Sequence, residues 1–256
     1  MKPETSKTAD LNLPQAFLLL ATSDKDGKPE VPVFALRTTV AGAILAELDL
    51  IGAIALQGKH VRATGAAPQT DFQHELELIR GKSRPHTPKQ WVSMLEGRAE
   101  VQRVYEGMES LGLVEHVGER HLGLFKSMRY PEKDHGPEAA LLEKIRSALG
   151  GEPWERAKPE AGTPEAGTPE AATPEARTPS VSDAKTPDAR TPDVKVANAR
   201  TTALIALLQA AGMLGKLFPA ADKIRATELV KDYWPSRAVE DELRLTRLAE
   251  EEAATL

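Results

Sequence analysis

Histidine, the side chain best suited to proton transfer or metal ligation near neutral pH, occurs at positions 60, 74, 86, 116, 121 and 135. No two of these stand at i, i+4 with an acidic third ligand close by, so the sequence supports no zinc site and no bound metal is expected. Cysteine is absent, which removes thiolate ligands, a cysteine nucleophile and a disulfide scaffold. The Gly-x-Ser-x-Gly elbow, the Gly-x-x-x-x-Gly-Lys phosphate loop and the Gly-x-Gly-x-x-Gly fingerprint are all missing. Glu75 and Glu77 point about 200° apart on a helix, and Glu250 to Glu252 form a solvated run, so neither set makes a paired-carboxylate site. The reading is a non-enzymatic protein without a cofactor.

Two patterns suit binding instead. Arg80, Lys82, Arg84 and Lys89 fall in a stretch with no acidic residue between Glu77 and Glu96, a basic loop inside a protein of net charge -5. Such a loop can face phosphate, and it equally suits plain solvation. Leu122, Leu124 and Phe125 are framed by Arg120, Lys126 and Arg129. An apolar tip in a basic frame fits insertion into an anionic membrane surface. Leu122 and Leu124 also alternate as strand residues packing on a core do.

The elements that position these groups read as mainly helical. Thr87-Pro88-Lys89-Gln90 is a capping box with proline at the first helical position, and Thr70-Asp71-Phe72-Gln73 reads as a second box. Val40, Ile44, Leu48 and Ile51 recur at helical spacing, as do Val101, Val104, Tyr105, Met108 and Leu111, which predicts two amphipathic helices on a shared core. Each ends at a glycine and leads into short apolar alternation around another, Gly58 or Gly118, giving two helix-then-hairpin units. Thr201 to Phe218 is apolar on nearly every side and belongs at the centre of a bundle. Between Gly151 and Arg200, Thr-Pro pairs recur and eight of the 19 prolines lie there, while large apolar residues almost vanish after Trp154. That stretch cannot bury enough surface to offset its ordering entropy. The expected organisation is one domain formed by residues 11–150 and 199–256, with 151–198 a disordered Thr-Pro-rich linker inserted within it. No stretch approaches the roughly 20 apolar residues of a membrane span, and the start lacks a secretory core, so a cytoplasmic protein is expected.

The order of several short motifs adds a resemblance. Leu18-Leu19-Leu20 precedes Asp24-Lys25-Asp26-Gly27, then Ala41-Gly42-Ala43-Ile44-Leu45-Ala46-Glu47-Leu48, then Gln90-Trp91-Val92. Leu111-Gly112-Leu113-Val114 follows with Leu124-Phe125 and Tyr130-Pro131, and finally Thr202-Ala203-Leu204-Ile205-Ala206-Leu207. This series resembles the Golgi phosphoprotein 3 family, in the form of its bacterial, actinomycete-type members. The resemblance implies a helical bundle with surrounding amphipathic helices and one or two β-hairpins. It also implies a peripheral membrane adaptor that binds phosphatidylinositol 4-phosphate and holds glycosyltransferases through their cytoplasmic tails. The family's headgroup pocket uses a tryptophan and an arginine before the first long helix, which fall on Pro32 and Ala41. Of its two further arginines, one matches Arg98 and the other falls on Val101, with Arg103 close by as a substitute. Each charge-assisted phosphate contact contributes on the order of 1.5 to 3 kcal/mol. The lipid-headgroup candidates are therefore Arg98 and Arg103.

The leading expectation is an adaptor that touches the inner face of the membrane reversibly, binding anionic lipid and an unidentified protein partner, with a homo-oligomer left open. One rival is a winged-helix nucleic-acid binder, since a helix followed by a two-stranded wing has that form. Thr38 to Leu50 would be its recognition helix, yet that stretch has no Arg, Lys, Asn or Gln to read bases and carries Glu47 and Asp49. Another rival is a scaffold regulated by phosphorylation at Thr163, Thr168, Thr173, Thr178, Thr186 and Thr191, each phosphate adding about -1.5 to -2 charge.

Overall fold

The computed structural model of the chain describes residues 11–66, 68–121, 125–150, 191–221 and 223–254, with the backbone alone for 119–121, 125–128, 191–198 and 250–254. In chain order the elements are α1 (Leu13–Leu20), α2 (Val33–Leu50), β1 (Ile54–Gln57), β2 (His60–Ala63), α3 (Gln73–Gly81), α4 (Pro88–Leu95) and α5 (Arg98–Ser110). Then come β3 (Val117–His121), β4 (Phe125–Arg129), α6 (Gly136–Gly150), α7 (Thr191–Ala210), α8 (Leu214–Leu217), α9 (Lys223–Val230) and α10 (Trp234–Ala254). The fold is mainly helical, with two separate two-stranded antiparallel sheets among the described residues.

Two helices without a polar face occupy the middle. From Thr38 to Leu48 every residue of α2 is buried, and so is the run from Ala203 to Leu208 in α7. Such helices cannot sit at a surface without exposing apolar area. They pack on each other, with α1 and α10 touching both and α4 and α5 closing the outer side of α2. Small residues let α10 approach closely: a Cβ on Gly42 would lie 2.1 Å from Cγ2 of the buried Val239. Residues from both sides of 151–190 thus enter one core.

One device ends three helices. Gly52, Gly112 and Gly212 have φ of 71°, 74° and 72°. In each case the next residue donates its N–H back into the last helical turn, Ala53 to the Leu48 carbonyl, Leu113 to Met108 and Met213 to Leu208, at 2.8 to 3.0 Å. This closure needs a left-handed residue, which glycine supplies without a Cβ clash. It explains why α7 stops at Ala210 rather than running to Phe218. The same helix begins at Thr191 rather than Thr201, within the range read as linker, and Thr191-Pro192-Asp193 has the form of a helix start.

Of the two capping boxes read from the sequence, one forms. The Thr87–Gln90 box forms at α4, and Asn12 with Gln15 forms another at α1, which the sequence reading does not anticipate. The box read at Thr70 does not form. Thr70 accepts from the N–H of Phe72 at 3.2 Å, Gln73 turns to Glu77, and α3 opens without a side-chain cap. The first hairpin turns at Gly58, with Gln57 paired to His60. In the second, Gly118 lies inside β3 opposite Met128, and the pairing continues past it to His121 opposite Phe125, so the hairpin does not turn at Gly118.

Candidate functional site

Helix α5 carries both headgroup candidates and separates them. Arg98 opens the helix and Arg103 follows five residues on, about 140° around the axis at 3.6 residues per turn. Arg98 is exposed, with no hydrogen-bond or ion-pair partner among the described residues. Arg103 donates from Nη2 to Oε1 of Glu75 on α3, with Glu100 Oε1 a further 3.7 Å contact. The Glu75 side chain is wholly buried whereas that of Arg103 is 42% exposed. Arg103 therefore neutralises an interior carboxylate from the surface. Its loss would strand that charge, at a cost of about 3 kcal/mol or more. Ala41 and Val101 are buried in α2 and α5, so neither position presents a side chain to a headgroup. Pro32 is exposed at the start of α2.

The basic loop is anchored at both ends. Arg80, in the last turn of α3, donates to the carbonyl of Ala66 at 2.6 Å. Val61 on β2 donates to the carbonyl of His86 at 3.0 Å, and the Thr87 cap fixes the start of α4. Between these points Lys82 and Arg84 are exposed, and neither they nor Lys89 has a hydrogen-bond or ion-pair partner among the described residues.

In the second hairpin Val117–His121 pairs with Phe125–Arg129, and among the described residues these strands pair with no other strand. Leu122 and Leu124 lie outside the described residues, as does the Phe125 side chain at the start of β4. Its foot is well built. Tyr130 stacks on Tyr105 with ring centroids 4.1 Å apart and planes 2° from parallel, and on His116 at 5.2 Å. The Tyr105 hydroxyl shares a 2.7 Å hydrogen bond with Thr22, and burial pushes its phenol up to about 12. The Tyr130 N–H donates to the carbonyl of Gly27 at 3.0 Å, so the loop after α1 is docked against the hairpin foot.

Beside this junction four acidic or imidazole groups converge. His135 Nδ1 lies 2.5 Å from Glu132 Oε2 and 4.0 Å from Asp24 Oδ2, and Glu138 completes the cluster. Burial, then the negative charges of Asp24 and Glu132, push the Glu138 carboxyl up to about 7. Glu132 is also raised, chiefly by burial, and His135 is raised by its hydrogen bond to Glu132. A search for paired histidines misses this group, because three of its four donors are carboxylates and Asp24 comes from a remote loop. The local signal is Glu132-x-x-His135-x-x-Glu138.

A third ionic site lies under a cavity of about 300 Å³ bordered by Leu11, Asn12, Phe72 and Arg200. Glu47 takes both Nη atoms of Arg200, at 2.5 and 2.8 Å, and also accepts from the Leu13 N–H. Arg200 has a further contact to the Leu11 carbonyl. The pair ties α7 to α2 and to the start of α1, which makes it a structural clamp.

Comparison with protein families resolves which fold this is. The Golgi phosphoprotein 3 (GPP34) family matches residues 13–246, nearly the whole chain. The chain belongs to that family. Membership supports an adaptor of the Golgi phosphoprotein 3 type in general terms, and a non-enzymatic one. A search of curated proteins gives no match. As a Golgi phosphoprotein 3 family member, the chain buries α2 at its centre, so Thr38 to Leu50 cannot enter a nucleic-acid groove as a recognition helix. Among the described residues no helix is long and apolar enough to cross a membrane. Of the threonines considered for phosphorylation, Thr191 opens α7 and the others lie outside the described residues.

Proposed function

We propose that this protein is a reversible peripheral membrane adaptor that engages anionic lipid through the second hairpin and presents its helical body to a protein partner. The observation that supports the reading is a strand pair, β3 with β4, that among the described residues pairs with no other strand, and the sequence between and after it, Leu122-Gly123-Leu124-Phe125, stands within a basic frame. Apolar residues that enter a headgroup layer contribute through buried area, and the flanking cations contribute through the negative surface potential.

Arg98 adds a free cation on the surface of α5. The 140° separation of Arg98 and Arg103, with Arg103 engaged by Glu75, favours general anionic lipid over a selected phosphoinositide headgroup. Liposome co-sedimentation tests this. The protein should pellet with phosphatidylglycerol vesicles and not with phosphatidylcholine, and less at 150 mM salt than at low salt, as expected for partly electrostatic attachment, with 150 mM being about the physiological ionic strength. Marked preference for phosphatidylinositol 4-phosphate would show a headgroup pocket instead. Failure to pellet with any vesicle would leave protein binding alone.

A further inference from the structure

We propose that Asp24, Glu132, His135 and Glu138 bind one first-row divalent cation, with Mn²⁺ and Zn²⁺ the best matched, at the foot of the second hairpin. One ligand atom from each residue lies within 4.8 Å of all the others. A cation with bonds near 2.1 Å needs its ligands about 3 to 4.2 Å apart, so the His135–Glu132 contact at 2.5 Å would open and any pair near the 4.8 Å limit would draw in. Three carboxylate oxygens and one imidazole nitrogen suit a borderline first-row ion better than Ca²⁺, which prefers an all-oxygen shell.

A second observation points to a missing positive partner. The Glu132 side chain is only 4% exposed, and while Oε2 meets His135, Oε1 is buried without a hydrogen-bond partner. Buried polar atoms are paired in the large majority of cases. The groups acting on Glu132 are Asp24, His135 and Glu138, two of them acidic. Elsewhere the chain answers a buried carboxylate with arginine, Arg103 at Glu75, whose Oε2 is itself without a hydrogen-bond partner, and Arg200 at Glu47. Among the described residues no lysine or arginine is paired with Glu132.

The scaffold is already in place for such an ion. The Tyr130 to Gly27 hydrogen bond fixes the Asp24 loop, and a Cβ on Gly27 would lie 2.3 Å from the nitrogen of Pro131. Glu132 is held by a bridge to Val114 and by the Lys133 N–H to the Leu113 carbonyl at 2.8 Å. Asp134 accepts from the Gly136 N–H and turns the chain into α6, which sets His135 and Glu138 one helical turn apart. A bound cation would clamp the exit of β4 to the loop after α1.

The test uses tag-free, full-length protein treated with chelator and then dialysed, titrated with MnCl₂ by electron paramagnetic resonance and with ZnCl₂ by calorimetry. No lipid is present, so the result is independent of membrane binding. One equivalent should bind, and Asp24→Asn and His135→Gln should each weaken it by at least about tenfold. Asp24 is exposed, so its variant keeps the fold, which circular dichroism verifies. Absence of saturable binding below about 1 mM, or equal affinity in both variants, would overturn the proposal.

Discussion

The two helix-then-hairpin units share a design and differ in where their strands go. After α2, β1 and β2 are absorbed by the body: Ile54 and Val61 are buried, β2 packs on α3 and α4, and Val61 bonds to His86. After α5, the described residues of β3 and β4 pair with each other, and their foot is anchored through Tyr130 and the Val114 to Glu132 bridge. The helices differ in the same sense, since α2 is buried over most of its length and α5 keeps an exposed face. The first unit adds buried side chains to the core, and the second is joined to the body at its foot.

The largest separation between the units should appear in lipid binding. Replacing Leu122, Leu124 and Phe125 together by serine should weaken association with phosphatidylglycerol vesicles by two orders of magnitude or more, given about 1.5 to 3 kcal/mol per inserted side chain. The melting temperature should not move. Ile54→Ala in the first hairpin should do the reverse, costing about 3 kcal/mol in denaturant unfolding with unchanged affinity per folded molecule. Equal stability losses from both would abolish the distinction.

Helix glycines sharpen it further. Gly42→Ala in α2 should destabilise by about 1 to 3 kcal/mol, because the added methyl meets the stiff, buried Val239. Gly107→Ala in α5 meets only the end of the Gln15 side chain at 3.4 Å. It should stabilise by about 0.5 to 1 kcal/mol through helix propensity, read from the same unfolding curves.

The smallest effect is on pH dependence. Glu138 titrates near 7 when folded against an ordinary 4.5, so the folded state holds the extra proton between those values. That contribution is complete below about 4.5 and is lost as pH rises through about 7; the raised Glu132 and His135 act in the same direction. With chelator present, the local contribution to the denaturation midpoint should fall between pH 5 and pH 8, and Glu138→Gln should flatten it.

What could be read from the sequence was local and repeated. The period of α5 and the glycines at 52 and 112 are each decided by a few adjacent residues, whereas α2, read as amphipathic, is buried all round from Thr38 to Leu48 because helices pack on it from several sides. The third glycine stop, Gly212, is hidden because the apolar run continues past it to Phe218, and hydropathy carries no record of a left-handed turn. Asn12-Leu13-Pro14-Gln15 has the same form as Thr87 to Gln90, whereas Thr70 to Gln73 has the form and loses it when Thr70 bonds two residues ahead. The roles of Arg103 and of the cluster around Glu132 depend on pairing across distant segments. Nothing beside Arg103 in sequence announces that Glu75 will be buried against it.

The most direct test of the second hairpin's role uses the absence of cysteine from this chain. Single Leu124→Cys and Leu56→Cys variants, each labelled with a polarity-sensitive fluorophore, would be mixed with phosphatidylglycerol vesicles. The account predicts a blue shift from the label at 124 and none from the label at 56, which sits on the first hairpin. An unshifted label at 124 in protein that pellets with the vesicles, or equal shifts at both positions, would contradict it.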